Sequence, residues 1–543
     1  MKRIVGGLGR LAMVVALFGA ASVSATTYYI AANGSDSNNG TSKNTPWLHA
    51  PGMTGCSGTC ASTTPEPGDN FIFRGGDSWH YNSASGSPVG LPWTWNWSGS
   101  STNCQLNAAA GTVVKTSCIY IGVDQSWFEG SSWTRPILNM DNPPTNSRPA
   151  SCTYDQTSVN AVEISNHSYL ILDNFENLGE CWTGNTNSNF IDSQGTQFEV
   201  SNSYFHGWTY ASSSSSDNYG QLGGNTPRSS FMLCDHNVFD GSDSSLGNQA
   251  NKASGMALYN ACTEIAFNVF NRVSNGCICN PLSVHDNLFQ YLYEPTGSTH
   301  GNIVEWNNEN YSLPNVLYFY NNIIHDTNEG EGINLQMVTS PAYVFNNVSW
   351  LYRENPNGTN GTDGSNCLQL SVATSSTIYY FNNTLDFPCS VTGASSGGST
   401  VNNFQNNHLI GYSAQNLSSL LSSSGTTVND NANEVYQSES AANGQGYVPS
   451  NAYAPTNKSG ATVGAGANLS SGLCSNVSNP IAASACQSGV GSITYDSTNH
   501  VVIAAAGTSR PSSGAWDAGA HQFSSAAVSG QPTPPSGLAA TVQ

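Results

Sequence analysis

The sequence predicts an all-β fold in which short parallel strands stack as the coils of a solenoid. A phrase of alternating apolar residues, then Asn or a stand-in, then Asn and a large apolar residue recurs along residues 170–409. Its instances lie 19 to 36 residues apart, which indicates one repeat unit with variable insertions. The recurring Asn position is filled by Asn174, Ser203, Asn237, Asn268, Asn287, Asn322, Asn347, Asn383 and Asn407, and only Ser203 breaks the Asn column.

The recurring asparagine has a physical role at a tight corner between two strands. The residues before it alternate and are rich in Val, Ile, Tyr and Phe, which favours strands. Asn tolerates the left-handed backbone region and can bond its own backbone, as a corner requires. If the corner recurs once per coil, the amides stack about 4.8 Å apart and can bond along the stack. We therefore predict an Asn ladder.

Composition and charge limit the possible functions. Charged residues are 9% of the 543 residues and aromatic residues are 10%, so the chain is neither an ordinary charged globular protein nor disordered. The formal net charge of −20 argues against a nucleic-acid-binding surface. It also opposes a polyanionic substrate, unless cations bridge the two.

The N-terminus is typical of a secretory signal peptide. Lys2, Arg3 and Arg10 precede an apolar run over 11–21, and a small-residue cleavage site follows at 23–25. We expect no membrane span elsewhere. Fourteen cysteines in an exported chain imply disulfides. The sequence-near pairs are Cys56–Cys60, Cys104–Cys118, Cys152–Cys181, Cys367–Cys389 and Cys474–Cys486, while Cys234, Cys262, Cys277 and Cys279 stay open.

The opening stretch TYYIAANGSDSNNGTSKNTPW (27–47), the stretch PEPGDNFIFRGGDSW (65–79) and the ladder together carry a resemblance. They resemble the secreted bacterial, right-handed parallel β-helix proteins of the pectate-lyase-like superfamily, over roughly 27–523. The resemblance implies coils of three strands, an Asn ladder between the second and third, and caps at both ends. We expect a signal peptide (1–25), a cap and first coils (26–160), regular coils (161–410), irregular coils and a cap (411–523) and a Pro-rich tail (524–543).

Two further stretches concern the ends of this helix. Trp93, Trp95 and Trp97 alternate on one face, and they indicate either an apolar lid on the first coil or a platform for stacking sugars. Near the C-terminus, the resemblance implies that Arg510, Trp516 and Asp517 pack as a cap.

In the resembled superfamily, the first strands of the coils form the floor of a substrate groove. Alternation along these strands predicts an outward column of Glu163, Gln221, Glu305, Asn334 and Gln369, with Asp192 nearby. We expect this column, with Asn302, Arg272 and Arg353, to bind a polyhydroxylated ligand. An outward polar residue can equally be a solvated one.

One cluster of acids suggests glycoside hydrolysis, which needs no cofactor. Glu305 lies on the predicted floor, and Glu331 and Asp326 lie in the turn that leads to the next floor strand, with His300 approaching from the preceding loop. Carboxylates on adjacent coils would lie about 5 to 10 Å apart, within the range of catalytic acid pairs.

Two alternatives remain open. A lyase would use a basic residue as proton acceptor, for which Lys252 is the candidate, with Ca²⁺ held by Asp240 and Asp243 of the same loop. A non-catalytic carbohydrate-binding or cell-surface protein could use the same scaffold. In each case the expected partner is a polysaccharide and the expected state is a monomer.

Overall fold

The structure is a computed structural model, and it describes most of the chain from residue 25 onward. The described ranges are 25–82, 88–184, 188–211, 220–224, 231–243, 256–273, 275–292, 302–306, 316–327, 332–334, 341–351, 368–370, 376–386, 391–393, 400–411, 426–430 and 433–524. The signal peptide and Pro-rich tail that the sequence predicts lie almost wholly outside these ranges.

Three long parallel sheets run the length of the molecule, and each coil contributes one strand to each sheet. The first-strand sheet consists, within the described residues, of ten strands: Trp93–Thr94, Val162–Ser165, Asn189–Ser193, Gly220–Gly223, Met256–Tyr259, Asn275–Ile278, Asn302–Glu305, Gly332–Asn334, Leu368–Leu370 and Val391–Gly393.

The second-strand sheet is the longest of the three. Its thirteen described strands are Thr27–Ile30, Asn70–Gly75, Ile119–Phe128, Leu170–Asp173, Phe198–Ser201, Met232–Asp235, Glu264–Ala266, Ser283–His285, Leu317–Tyr320, Ala342–Phe345, Ser376–Phe381, Thr400–Gln405 and Thr426–Asp430.

The third-strand sheet completes each coil. Its twelve described strands are Ser78–His80, Ile137–Asn139, Glu176–Leu178, Tyr204–His206, Val238–Asp240, Val269–Asn271, Leu288–Gln290, Ile323–Thr327, Val348–Leu351, Thr384–Asp386, His408–Ile410 and Val435–Gln437. Every pairing within the three sheets is parallel, and the chain visits them in the same order in each coil. This arrangement is the right-handed parallel β-helix that the sequence predicts.

The remaining elements are short and lie outside the three sheets. A two-stranded parallel sheet joins Cys181–Trp182 to Thr209–Tyr210, and an antiparallel hairpin joins Ser492–Asp496 to Val501–Ala505. The described helices are Gly58–Ser62, Glu439–Gly444, Leu473–Asn476 and Pro480–Cys486, with 3₁₀ turns at Ala108–Ala110 and Pro449–Asn451.

The Asn ladder is present at the corner between the second and third strands. The side-chain oxygen of Asn268 accepts from the backbone N–H of Asn237 at 2.9 Å and from its Nδ2 at 3.2 Å. The same paired contact repeats through Asn287, Asn322, Asn347, Asn383 and Asn407. Each ladder amide also donates to a second-strand carbonyl, so these buried polar groups are satisfied along the stack.

Asn174 is not a ladder residue, and this part of the prediction is wrong by one position. Its φ of 70° puts it at the left-handed residue before the ladder, in line with Asn202 and His236. Phe175 occupies the ladder position instead, and its backbone N–H donates to Ser203 Oγ at 3.2 Å. The corner has two places that suit Asn, one for its backbone and one for its amide, so a single Asn does not reveal which it fills.

The interior is apolar and is stacked in register. Phe205, Phe239, Phe270 and Phe289 lie face to face on successive third strands, with ring centroids 4.9, 5.2 and 4.6 Å apart. Near the N-terminal end, Trp93 and Trp95 lie fully inside the same core and Trp97 packs against it. These tryptophans are therefore core residues of the first coils and not a platform for sugars.

Six disulfides join the described cysteines. Four of them are pairs that the sequence predicts: Cys56–Cys60, Cys104–Cys118, Cys152–Cys181 and Cys474–Cys486. The open cysteines pair as Cys234–Cys262 and Cys277–Cys279. Cys367 and Cys389 lie outside the described residues. The disulfides fit a protein that folds in an oxidising compartment.

The C-terminal residues form a cover along the side of the helix. The cover comprises residues 438–523, which follow the last coil and pack on two outer faces. Tyr447, Val490 and Ile493 lie on the third-strand sheet, and Leu469 and Trp516 lie on the second-strand sheet. The cover leaves the outer face of the first-strand sheet to other parts of the chain.

Arg510 fastens this cover to the ladder corner. Its guanidinium donates to Asn346 Oδ1 at 3.2 Å and to the carbonyl of Asp517 at 3.1 Å, and it lies 5.3 Å from the Trp516 ring. Arg510, Trp516 and Asp517 thus pack together, as the resemblance implies, but they do so against the side of the coils.

Candidate functional site

Strand register brings one polar column to the outer surface of the first-strand sheet. The register partners on successive strands, from the N-terminal end, are Thr94, Glu163, Asp192, Gly223, Tyr259, Ile278, Glu305, Asn334, Gln369 and Thr392. The neighbouring column, through Val162, Leu222, Leu258 and Val304, is fully buried and apolar. Because side chains alternate along a strand, the described side chains of the first column, such as Glu163 and Asp192, point outward. We call it the groove column.

Four residues of the predicted floor, Glu163, Glu305, Asn334 and Gln369, occupy this column, and Asp192 lies in it as well. Gln221 does not, because Gly223 takes that position between Asp192 and Tyr259. Gln221 is buried and donates to Glu180 Oε2 at 3.2 Å. Its expected place on the groove floor is therefore wrong, because the side chain pairs with an interior carboxyl instead.

Glu163 and Asp192 form the chemically distinctive part of the column. They are register partners on adjacent strands, and strands of a sheet lie about 4.8 Å apart. Burial raises the pKa of Asp192 to about 6, the charge of Glu163 adds to this effect, and a hydrogen bond from Asn189 opposes it. One acid of the pair thus holds its proton into the mildly acidic range.

Glu163 is oriented by two neutral donors. Ser165 Oγ donates to its Oε1 at 2.6 Å, and Asn160 Nδ2 donates to its Oε2 at 2.5 Å. Asn160 Oδ1 in turn accepts the backbone N–H of Asn189 at 2.8 Å, which ties the two strands together. The position of the Glu163 carboxylate is therefore fixed from both sides.

Asp192 is held by the amide of Asn189, and this contact depends on a glycine. Asn189 Nδ2 donates to Asp192 Oδ1 at 3.1 Å. A Cβ atom at Gly223 would lie 1.9 Å from Asn189 Cγ, so the amide could not stay in place above any other residue there. The absence of a side chain at Gly223 is thus part of how the acid is positioned.

Glu180 is a second unusual acid near this region. It is fully buried, and burial raises the pKa of its carboxyl well above the usual range, which a hydrogen bond from Gln221 only partly opposes. It follows the third strand Glu176–Leu178 and precedes the small sheet at Cys181–Trp182. Since it is sealed from solvent, it is a structural group and not a catalytic one.

Glu305, the first acid that the sequence singles out, lies in the groove column four strands beyond Asp192 and is buried. Asn302 begins the same strand. Asp326 is the last residue but one of the third strand Ile323–Thr327, with a φ of 51°, and its carboxylate accepts from His325 Nδ1 at 2.7 Å. The other acid of that cluster, Glu331, and its expected neighbour His300 lie outside the described residues.

Asp240 and Asp243 lie beneath the C-terminal hairpin, on the outer side of the third-strand sheet. Asp240 accepts from Tyr495 and Asn271, and Asp243 binds His206 Nδ1 at 2.8 Å. Burial opposes charge on His206, but its hydrogen bonds to the carboxylates outweigh burial and raise its pKa to about 9. Within the described ranges no group of three or more acids, histidines or cysteines could hold a metal, so the calcium site stays a prediction without support.

None of the three basic residues that the sequence proposes for the site is seen in the groove column. Arg272 follows a third strand and its guanidinium lies 5.0 Å from the ring of Tyr291. Lys252 and Arg353 lie outside the described residues. The sequence predicted Asp192 only near the column, not in it. Aligning the two first-strand segments NFID (189–192) and AVEI (161–164) could have placed Asp192 beside Glu163.

Comparison with family models and with curated proteins finds no match. Among solved structures, the chain is similar to pectate lyase Pel9A at 14% identity, covering 76% of this chain and 80% of that one with a TM-score of 0.32. It is also similar to a GH136 lacto-N-biosidase from Eubacterium ramulus (12% identity, 76% and 67% covered, TM-score 0.33). A third is a rhamnogalacturonan lyase (12% identity, 71% and 74% covered, TM-score 0.28). At these identities the likeness concerns the fold.

The sequence predicts no membrane span after the N-terminal leader. No helix in the described part of the chain is both long enough and apolar enough to cross a bilayer.

Proposed function

We propose that this protein is a secreted glycoside hydrolase that cleaves a polysaccharide lying along the groove column, with Glu163 and Asp192 as the catalytic pair. The observation that carries the proposal is their register on adjacent strands, with one acid kept protonated beside the other. Glycoside hydrolysis needs such a pair, because the leaving oxygen must receive a proton while the anomeric carbon receives an electron pair.

The spacing supports a retaining mechanism. Strands about 4.8 Å apart place the two carboxyl groups near the separation of about 5–5.5 Å that retaining enzymes use. Asp192 would protonate the glycosidic oxygen as its bond to the anomeric carbon breaks. The Glu163 carboxylate would attack that carbon and form a glycosyl ester. Water would then cleave the ester and give its proton to Asp192.

The surroundings support this division of roles. Both oxygens of Glu163 accept hydrogen bonds, so the nucleophile is held in one orientation. Among the described residues Asp192 has one donor, Asn189, and its pKa of about 6 suits a group that gives and later takes a proton. The apolar leader and the disulfides support export.

The experiment that tests this proposal also tests the other candidates that the sequence suggests. Glu305 is a further acid of the same column, and its pairing with Glu331 remains a proposal. A lyase that uses Lys252 with Ca²⁺ predicts unsaturated products, and a carbohydrate-binding protein predicts binding without cleavage.

The testing experiment is a panel of polysaccharides assayed for reducing ends and for unsaturated products, with and without a calcium chelator. Asp192→Asn and Glu163→Gln are compared with Asp235→Asn, a matched change outside the groove column. The proposal expects new reducing ends without unsaturation, no effect of chelation, and loss of activity in the two groove variants alone. Unsaturated products that vanish on chelation would establish the lyase instead. Full activity in both groove variants would place the site elsewhere.

A further inference from the structure

The ionisable side chains of the groove column are all acids apart from Tyr259. Glu163, Asp192 and Glu305 share one outward line, and the column contains neither Lys nor Arg. Among the described residues, the polar partners of the first two are neutral, namely Asn160 and Ser165 on Glu163 and Asn189 on Asp192. In the described part of the chain, the negative charge of the acid pair is thus met by dipoles and not by a cation.

Five cations of the described chain are engaged on other faces. Three of them form ion pairs: Lys43 with Asp124, Arg74 with Asp77, and Lys115 with Glu199. Two more, Arg135 and Arg510, donate to backbone carbonyls of the C-terminal cover. A ligand in the groove therefore meets a negative field at the acid pair.

Tyr259 adds an aromatic ring to the same line. It is half-buried and lies two strands beyond Asp192, about 10 Å along the column at the usual strand spacing. An aromatic side chain on a groove floor can pack against the apolar face of a pyranose ring. Acid pair and ring are thus separated by roughly two sugar residues of an extended glycan.

On the premise of the hydrolase function, we propose that the groove takes a glycan without uronic acids and prefers one whose sugars carry free amino groups. A uronate carboxylate beside Glu163 and Asp192 would meet like charge in a partly buried site, whereas an ammonium group would pair with the acids. Such a ligand supplies the cation that the groove column lacks.

Three tetrasaccharides of equal length test this: a glucosamine tetramer, its fully N-acetylated form and a galacturonate tetramer. Their binding to the full chain carrying Asp192→Asn is measured by calorimetry at pH 6.5 in 50 mM and 500 mM salt. We expect the glucosamine tetramer to bind at least about tenfold more tightly than the acetylated one at low salt, and to lose most of that advantage at high salt. The galacturonate tetramer should bind weakest.

A matched pair of variants locates the effect. On the Asp192→Asn background, Glu163→Gln removes the remaining carboxylate of the acid pair, and Glu199→Gln removes the carboxylate that pairs with Lys115 on the outer second-strand face. We expect the first to weaken binding of the glucosamine tetramer several-fold and the second to leave it unchanged.

Equal or tighter binding of the galacturonate tetramer overturns the substrate inference. So does an equal loss of glucosamine binding in the two charge variants. These outcomes are separate from the hydrolase proposal, which stands or falls on cleavage by the wild type and on its loss in Asp192→Asn. If the protein hydrolyses a uronate glycan, the substrate inference is wrong but the hydrolase proposal stands.

Discussion

Two columns of side chains run along the same coils and differ in what repeats. At the second corner, the ladder column carries Asn in seven successive described coils, from Asn237 to Asn407, each bonded to the next in the same way. On the first-strand sheet, the groove column changes residue at almost every coil. The repeat serves the fold, because every coil needs the same corner. The variation marks chemistry, because one reacting bond needs one local arrangement.

The largest effect on activity is expected from changing the two acids of the groove column, Glu163 and Asp192. Glu163→Gln or Asp192→Asn should lower kcat by roughly 100- to 10,000-fold, because a nucleophile or a general acid is lost while the backbone is untouched. The measurement is kcat on the substrate found in the panel, with Tm as the check on folding. A groove variant that keeps its activity contradicts the assignment.

A ladder change should have the opposite profile. Asn322→Ala removes the side-chain hydrogen bonds to Asn287, Asn347 and the carbonyl of Val284, and leaves buried groups unpaired, although the backbone N–H of residue 322 still donates to Asn347. We expect a loss of about 2–4 kcal/mol in the free energy of unfolding. Denaturant unfolding measures it, and kcat per folded molecule should stay near the wild-type value. A large loss of kcat at unchanged stability would show that the ladder serves the chemistry.

The pH dependence of activity tests whether Asp192 acts as the acid. Asp192 must be protonated to act as the acid, and burial together with the charge of Glu163 raises its pKa to about 6. Activity should therefore fall as pH rises through about 6. Carbon-13 NMR titration of Asp192 in Glu163→Gln should give a lower pKa, since the like charge is gone. An unchanged pKa would show that Glu163 does not act on it.

The smallest expected effect concerns the interior acid Glu180. Its folded-state pKa is raised, so it favours folding fully at pH values below its ordinary pKa near 4.5, and this contribution is lost as pH rises toward the folded value. Glu180→Gln keeps the shape and removes the titration. Its unfolding free energy should fall less between pH 4 and 7 than that of the wild type. The exposed Glu66→Gln is the control, and parallel curves for both variants would contradict the assignment.

The sequence predicts the fold well because the fold repeats. Seven ladder asparagines and four disulfides follow from local spacing alone. The errors occur where local spacing is ambiguous. Asn174 suits either place in the corner, and Gln221 fits the alternation of its strand but pairs with Glu180 across the coil. The covering of the second- and third-strand sheets depends on contacts between residues hundreds of positions apart, such as Arg135 with Asn499, and no local pattern reveals these.

The candidate site was less predictable for the same reason. Asp192 and Glu163 are adjacent only because two strands align in register, and the pKa shift of Asp192 arises from burial, which a single sequence does not report. Nothing in the sequence singles out Gly223. Its importance appears once the amide of Asn189 is seen above it.

The C-terminal cover has a consequence for the order in which the chain matures. The coils can form one after another as they are synthesised, since the strands of each coil pair with those of the coil before it. The outer faces around Tyr318, Tyr343 and Val269 stay apolar and open until residues 438–523 arrive at the end of synthesis. A chain that stops before residue 438 would thus present finished coils whose outer apolar faces are uncovered. Such faces favour aggregation, so we expect the last fifth of the polypeptide to protect the finished coils as well as to complete the fold.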